Sequence, residues 1–415
     1  MTTSLRVLGV LLVGLAWESA CSAWNMEASL LAAPVAAQAT GDIAASMDVW
    51  SGDRLSSAAK AKVNAEVRAK GRIEVASGVV FEGEGWAASN PRGEGQIDAD
   101  VRAAFVELSL GGVTLKAGRQ ALAWGRTDRI NPTDVLAGRD LQRLVTEEDD
   151  NRMGQFAVTL ALPLGGGTLN GVWQPEFRAS RLPNGAPIPS IPLRRSASYA
   201  LRYERYGAGF DFSLTLANGP DHTPWLTPAT INGQPQIAFS YPIVTTLGAD
   251  FSTTLGAYGI RFEAARYWHD RTSLQPNTTR LPEFAAVLGI DRSLPGDWML
   301  IAQAVLRVGS TTPPPAPAVS GLAIQNALIH GAWRKTVVGA TVSVRKSFAA
   351  QRGRAEVTGA WLSGGGTFAQ VRLNYALTDM VSLHFFAERY DGNSATYFGR
   401  QQANDVAMIG VKIGF

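Results

Sequence analysis

The 415-residue sequence holds one cysteine and four histidines, and no apolar run of its body is long enough to cross a bilayer as a helix. Each scarcity excludes something. Cys21 lies in the stretch read below as a leader, so the body has no cysteine for a disulfide or for a cysteine-ligated metal. His222, His269, His330 and His384 stand far apart, none in a His-Glu-x-x-His pair. There is no Gly-x-Ser-x-Gly elbow, and the glycine run at 364–366 lacks the Lys-Ser/Thr of a phosphate loop, so it reads as a turn. His269-Asp270 alone does not make a hydrolase, and the expectation is no enzyme, no catalytic residue, no metal and no cofactor. Transmembrane helices need about 20 apolar residues. The one strongly apolar stretch, 7–17, is shorter and follows Arg6.

That stretch matches the core of a secretory leader. Two small-residue cleavage patterns follow, ending at Ala23 and Ala39. Ala37-Gln38-Ala39 is the better match, so the expected organisation is a leader over 1–39 and one domain over 40–415. Glu18 spoils a lipoprotein site at Cys21. With the leader's one base and two acids gone, the body keeps 37 bases and 33 acids, net +4. So slight an excess predicts no nucleic-acid partner.

What the body has in quantity is alternation. Phe210, Phe212, Leu214 and Leu216 alternate with Gly209, Asp211, Ser213 and Thr215; Val338, Ala340, Val342 and Val344 alternate with Gly339, Thr341, Ser343 and Arg345. Period two over about ten residues, repeated along a chain with almost no helical pattern, is the signature of a barrel facing lipid outside and water inside. Strands are predicted over 43–50, 58–69, 72–86, 98–110, 113–125, 153–163, 166–175, 196–206, 208–218, 244–254, 257–269, 283–293, 297–309, 334–347, 353–363, 366–376, 379–391 and 404–415. Connections at 87–97, 126–152, 176–195, 219–243, 270–282, 310–333 and 392–403 are long and follow odd strands. Tight ones, such as Lys70-Gly71, Gly111-Gly112 and Leu255-Gly256, follow even strands. A water-soluble sandwich has no reason to keep that parity. The predicted fold is all-β: a transmembrane antiparallel up-and-down barrel of about 18 strands. Because 43–50 alternates poorly and Gly364-Gly365 is short, 16 strands is the alternative. The terminal strand carries Ile409, Val411, Ile413 and the last residue, Phe415, on one face, the pattern of a barrel-insertion signal.

Charge on a lipid-facing wall costs roughly 2–4 kcal/mol for a base at mid-membrane. The charged positions therefore mark the inward face: Arg202, Glu204, Asp211, Arg261, Glu263, Arg307, Arg345 and Arg372 as lumen-lining candidates, with Lys62, Glu66, Arg68, Arg354, Glu356, His384, Glu388 and Lys412. The loop 126–152 carries five arginines and seven acids. Asn131-Pro132 in it is a plausible helix start. Two readings balance: a solvated outer loop, or an element folded into the mouth with Arg126, Asp128, Arg129, Asp134, Arg139 and Asp140 at a constriction.

The stretch GRQALAWGRTDRINPTDVL from Gly118, with 173–183, 247–265 and 398–415, resembles a porin-like family of proteobacterial outer-membrane barrels, mostly uncharacterised. The resemblance implies a place in the outer membrane of a Gram-negative bacterium and carries no binding residues with it. The expected function is a channel for small solutes through a charged aqueous lumen. A dedicated exporter or importer of one polymer or hydrophobic compound, and a structural or adhesive barrel, are the alternatives. Expected partners are outer-membrane lipid and lipopolysaccharide, the barrel-insertion machinery and a small solute, and a homo-oligomer is compatible with the sequence. The first strand follows the leader too closely for a plug domain.

Overall fold

The alternation closes on itself. In the computed structural model, which describes residues 38–52, 62–89, 97–143, 145, 148–182, 188–207, 209–270, 280–310 and 320–414, eighteen antiparallel strands form one closed sheet. In chain order these are β1 (Gln38–Gly52), β2 (Lys62–Ala76), β3 (Val79–Ala88), β4 (Asp98–Leu110), β5 (Val113–Gln120), β6 (Gln155–Leu164), β7 (Gly167–Gln174), β8 (Ser198–Arg205) and β9 (Phe210–Pro220). Then come β12 (Ile243–Leu255), β13 (Tyr258–His269), β14 (Pro282–Leu294), β15 (Trp298–Gly309), β16 (Thr336–Phe348), β17 (Gly353–Leu362), β18 (Gly366–Ala376), β19 (Val381–Asp391) and β20 (Val406–Gly414). β10 (Trp225–Ile231) and β11 (Gln234–Ser240) form a separate hairpin. Each wall strand pairs with its chain neighbours, and β1 pairs with both β2 and β20, so no edge is left open. The count is eighteen, and the 16-stranded alternative falls.

The two faces divide as solvation demands. Leu214 and Leu216 are exposed while Ser213 and Thr215 between them are buried; Val338, Val342 and Val344 are exposed while Thr341 and Ser343 are buried. Exposed here means facing lipid, and the inside holds the polar groups. Ile409, Val411 and Ile413 face out, as expected; Phe415, Cys21 and the leader lie outside the described residues. β1 begins at Gln38, where Gln38 and Ala39 pair with Glu74 and Ile73, so the expected cleavage point falls inside the first strand's register.

Three local expectations are corrected. The turn after β2 sits at Ser77-Gly78, not at Lys70-Gly71, because Lys70, Arg72 and Glu74 continue the inward alternation of Arg68. Gly78 takes φ +77, and a Cβ there would meet the Ser109 carbonyl oxygen at 2.3 Å. β5 ends at Gln120 instead of 125, since Leu122 and Trp124 turn inward onto an apolar patch. The long connections also hold structure that periodicity missed: the β10–β11 hairpin, closed by Asn232 and Gly233 at φ 53 and 77, and a helix, α1 (Ser320–Ile329).

A candidate constriction site across the lumen

The chain leaving β5 does not stay outside. Leu122, Trp124, Val135 and Leu136 pack on Val172, Ala200 and Ala217, an apolar patch on the inner wall of β7, β8 and β9. That patch roots the loop 121–154 inside the barrel.

Asp250 on β12 and Glu263 on β13 are direct cross-strand partners, both buried. Two carboxylates side by side repel and are costly to bury unless donors meet them. The loop supplies those donors. Glu263 accepts from Thr133 N at 2.7 Å and Thr133 Oγ1 at 2.8 Å on one oxygen. On the other it accepts from Arg126 N at 3.0 Å, Thr127 Oγ1 at 3.0 Å and Thr127 N at 3.3 Å. Gly125, at φ +117, brings the backbone this close; a Cβ would stand 3.0 Å from both carboxylate oxygens. Asp250 is met by the Arg126 Nε, by Ser213 Oγ and by Arg202 Nη2 at 2.8 Å.

From this post the loop reaches two further walls. Arg129 Nη2 donates to Thr358 Oγ1 and Gln370 Oε1, both at 2.8 Å, and lies 3.3 Å from Glu356, so it is tied to β17 and β18. Arg143 Nη2 bridges both oxygens of Glu66 on β2 at 2.6 Å, with its guanidinium 3.9 Å from the centroid of the Trp86 ring. Beside it Arg68 and Arg102 converge on Glu84 and on Asp150 of the loop. Burial works to raise the Asp150 pKa, but the hydrogen bond from Arg68 and the charges of Arg68, Arg102 and Arg143 outweigh it and hold the carboxyl below its ordinary value.

The six constriction candidates thus separate. Asp128 and Arg129 line a lumen cavity; Asp128 pairs with Arg261 at 3.0 Å. Arg126 is a brace on Asp250. Asp134 is buried between Arg139 at 2.9 Å and Arg152 at 2.7 Å, and Asp140 holds Arg181 of the next long loop at 3.0 Å. The helix expected from Asn131 is absent: Asn131 opens a turn closed by Asp134 N, and the one helical element of the described loop is a 3-10 turn, Glu148–Asn151. The backbone N–H of Thr133, in the first turn of the expected helix, bonds the wall carboxylate instead. Among the lumen candidates, Arg202 bridges Asp250 and Glu204, Asp211 lies 3.5 Å from Arg126, and Arg345, Glu356 and Arg372 form one cross-strand row. Arg307 lines the outer cavity.

Two cavities flank the loop. One of about 240 Å³ lies among Asp128, Arg129, Arg345, Arg354, Glu356 and Arg372. The other, about 510 Å³, opens toward the long-loop end, and Arg129, Asn131 and Arg139 line both.

Comparison with known proteins follows from this geometry. No family model matches the chain, and no curated protein does. Solved structures do. Acinetobacter baumannii OccAB1 superposes over 91% of this chain and 96% of its own at TM-score 0.56 and 10% identity. A triple mutant of Rhodopseudomonas blastica porin covers 91% and 100% at TM-score 0.44 and 12% identity, and a loop-deleted OmpT of Vibrio cholerae 92% and 100% at 0.43 and 9%. The likeness to OccAB1 shows a shared barrel fold.

Beside the larger cavity the hairpin packs on α1, a contact with no local signal in the sequence. Trp225 of the hairpin stacks on His330, just past α1, at 3.6 Å between centroids and 16° between planes. Its Nε1 donates to Asp221 at 2.9 Å. Asn326 of α1 donates to Leu226 O and accepts from Leu226 N, both at 2.8 Å. Burial pushes the Asp221 carboxyl up to about 6 against the donors Trp225 and Thr223, and pushes His330 down to about 3.

Proposed function

We propose that the protein is a channel of the outer membrane of a Gram-negative bacterium, passing small solutes through a lumen narrowed by the loop 121–154. The observation that carries this reading is the pinning of one loop to wall strands on opposite sides of the barrel. A lipid-facing shell, a polar interior and an internally braced cross-bar make a sized aqueous passage. An adhesive barrel needs no cross-bar.

The constriction is lined by Asp128, Arg129 and Arg139 of the loop against Arg345, Arg354 and Arg372 of the wall, while Arg126, Asp134 and Asp140 hold the loop's shape. The smaller cavity is bordered by five arginines and three acids, Asp128, Asp149 and Glu356. In a narrow pore, where water screens incompletely, this excess favours anions. Single-channel recording in planar bilayers tests the reading. The expected result is a stable conductance with anion preference; a barrel that folds and inserts without conducting overturns it.

A further inference from the structure

The lipid-facing wall gathers rings, polar groups and cations at one place on its rim. Trp173 on β7 pairs with Tyr199 on β8, Tyr199 with Asn218 on β9, Asn218 with Thr245 on β12, and Thr245 with Trp268 on β13. These five residues form one unbroken row at the long-loop end of five adjacent strands. Strands stand about 4.8 Å apart, so the row is roughly 19 Å wide. Its three rings are about half exposed, at 45%, 51% and 48% for Trp173, Tyr199 and Trp268. Asn218 Nδ2 donates to Thr245 Oγ1 at 2.8 Å, so the centre of the row is an amide and a hydroxyl where neighbouring rows on this face carry Leu216 and Leu247.

Cations flank it. The Arg195 guanidinium lies 5.7 Å from the Tyr199 ring and donates to Asn218 Oδ1; it has no acidic partner among the described residues. Arg266, an outward-facing base on β13, lies 5.9 Å from the Trp268 ring and 3.3 Å from Glu283. Arg194 reaches Asp270 at 3.2 Å, above the row. On the far side of the barrel the outward face at the same end carries Thr367 with its partner Asp391, an acid, and one row below Ala369 with Arg389.

We propose that this row binds the phosphorylated glycolipid headgroup of the outer leaflet. The inference rests on the outer-membrane reading, which puts the long-loop end in that leaflet. Flat rings at the headgroup level stack against the C–H faces of sugar rings, the Asn218 amide and Thr245 hydroxyl meet sugar hydroxyls, and guanidinium groups pair with phosphate through parallel N–H donors. An aromatic belt alone serves any lipid. Arg195 without a counter-acid, beside a polar centre, selects an anionic sugar-bearing one.

The test uses the full-length barrel refolded in detergent with purified lipopolysaccharide, its dephosphorylated form, or phosphatidylglycerol vesicle lipid. Bound lipid is counted by native mass spectrometry. Lipopolysaccharide is expected to be retained about tenfold more tightly than either comparison lipid. Arg195→Ala with Arg266→Ala should abolish that preference, whereas Arg292→Ala with Lys346→Ala, two outward bases at the opposite rim, should preserve it. Equal retention of the dephosphorylated form, or equal loss in both double variants, overturns the site. Conductance of the same preparations is a separate readout: a silent channel that still prefers lipopolysaccharide sinks the channel and leaves this site standing.

Discussion

Glu66 and Glu263 stand nine strands apart around the eighteen-stranded wall, on opposite sides of the lumen, and one loop holds both. Arg143 grips the first and the backbone of 126–133 wraps the second. The loop is therefore a strut whose two feet are wall carboxylates, and its position in the pore depends on both.

Removing one foot should loosen it. In Glu263→Ala, the amides of Arg126, Thr127 and Thr133 lose their acceptor, at about 1–3 kcal/mol for each buried group left unmet. The barrel ladder does not pass through these bonds, so the heat-modifiable folded form should persist. Single-channel current should rise and become noisy. A quiet trace at the parent conductance would mean that the loop is held without Glu263.

The arginines should divide by role. Arg354 lines the smaller cavity, is exposed, and carries no ion pair among the described residues. Arg354→Glu should move the reversal potential toward cations with little change in conductance. Arg126→Gln should act instead on loop order, because it leaves Asp250 with Arg202 and Ser213 alone. Reversal potentials under a salt gradient separate the two, and equal shifts from both would refute the division.

Most of the wall was legible in the sequence because solvation writes it there: lipid on one face and water on the other force period two, and the membrane forces loop parity. The cross-bar was half legible. Its charge density showed, but a helix at Asn131 was the wrong local form, since the partner of the Thr133 N–H is Glu263, 130 residues away. No local pattern encodes so distant a pairing. Glu263 itself was expected in the lumen, yet nothing in β13 marks it as the loop's anchor. The Asn232-Gly233 hairpin, by contrast, carried its signal in the turn residues and was passed over inside a long loop.

The docking of the β10–β11 hairpin on His330 beside the larger cavity should change its pH response when Asp221 or His330 is removed. Asp221, raised to about 6 from 3.8, stabilises the docked hairpin fully below 3.8 and loses that contribution as pH rises through 6. His330, lowered to about 3 from 6.5, contributes fully above 6.5 and loses it as pH falls toward 3. Between about 4 and 6 the two slopes oppose, so each offsets the other in the parent. His330→Phe should then tighten on acidification and Asp221→Asn should loosen, each by up to about tenfold per pH unit in the opening equilibrium. Thiol labelling of a cysteine placed at Ala238, buried on β11 within the docked hairpin, reports its release; parallel pH profiles in both variants would refute the coupling.

The strut should set the width of the pore. Deleting 131–146 removes Thr133 and Arg143, one contact at each foot, together with Asp134, the acid that ties Arg139 to Arg152. Deletion alone would strip Glu263 of its donors at 133 and leave a buried charge poorly met, so the variant should also carry Glu263→Gln, which removes that charge. The wall strands β5 and β6 keep their own ladder, and the folded, heat-modifiable barrel should form. With the strut gone, the passage widens from a braced constriction toward the bare interior of an eighteen-stranded barrel, wide enough to hold a continuous water column. Conductance should rise several-fold, and the anion preference should weaken, because Arg129 no longer has a fixed place between the two cavities and Arg139 is gone. A folded barrel that conducts and selects as the parent does would show that current never passes the strut, and the proposed constriction would have to be abandoned.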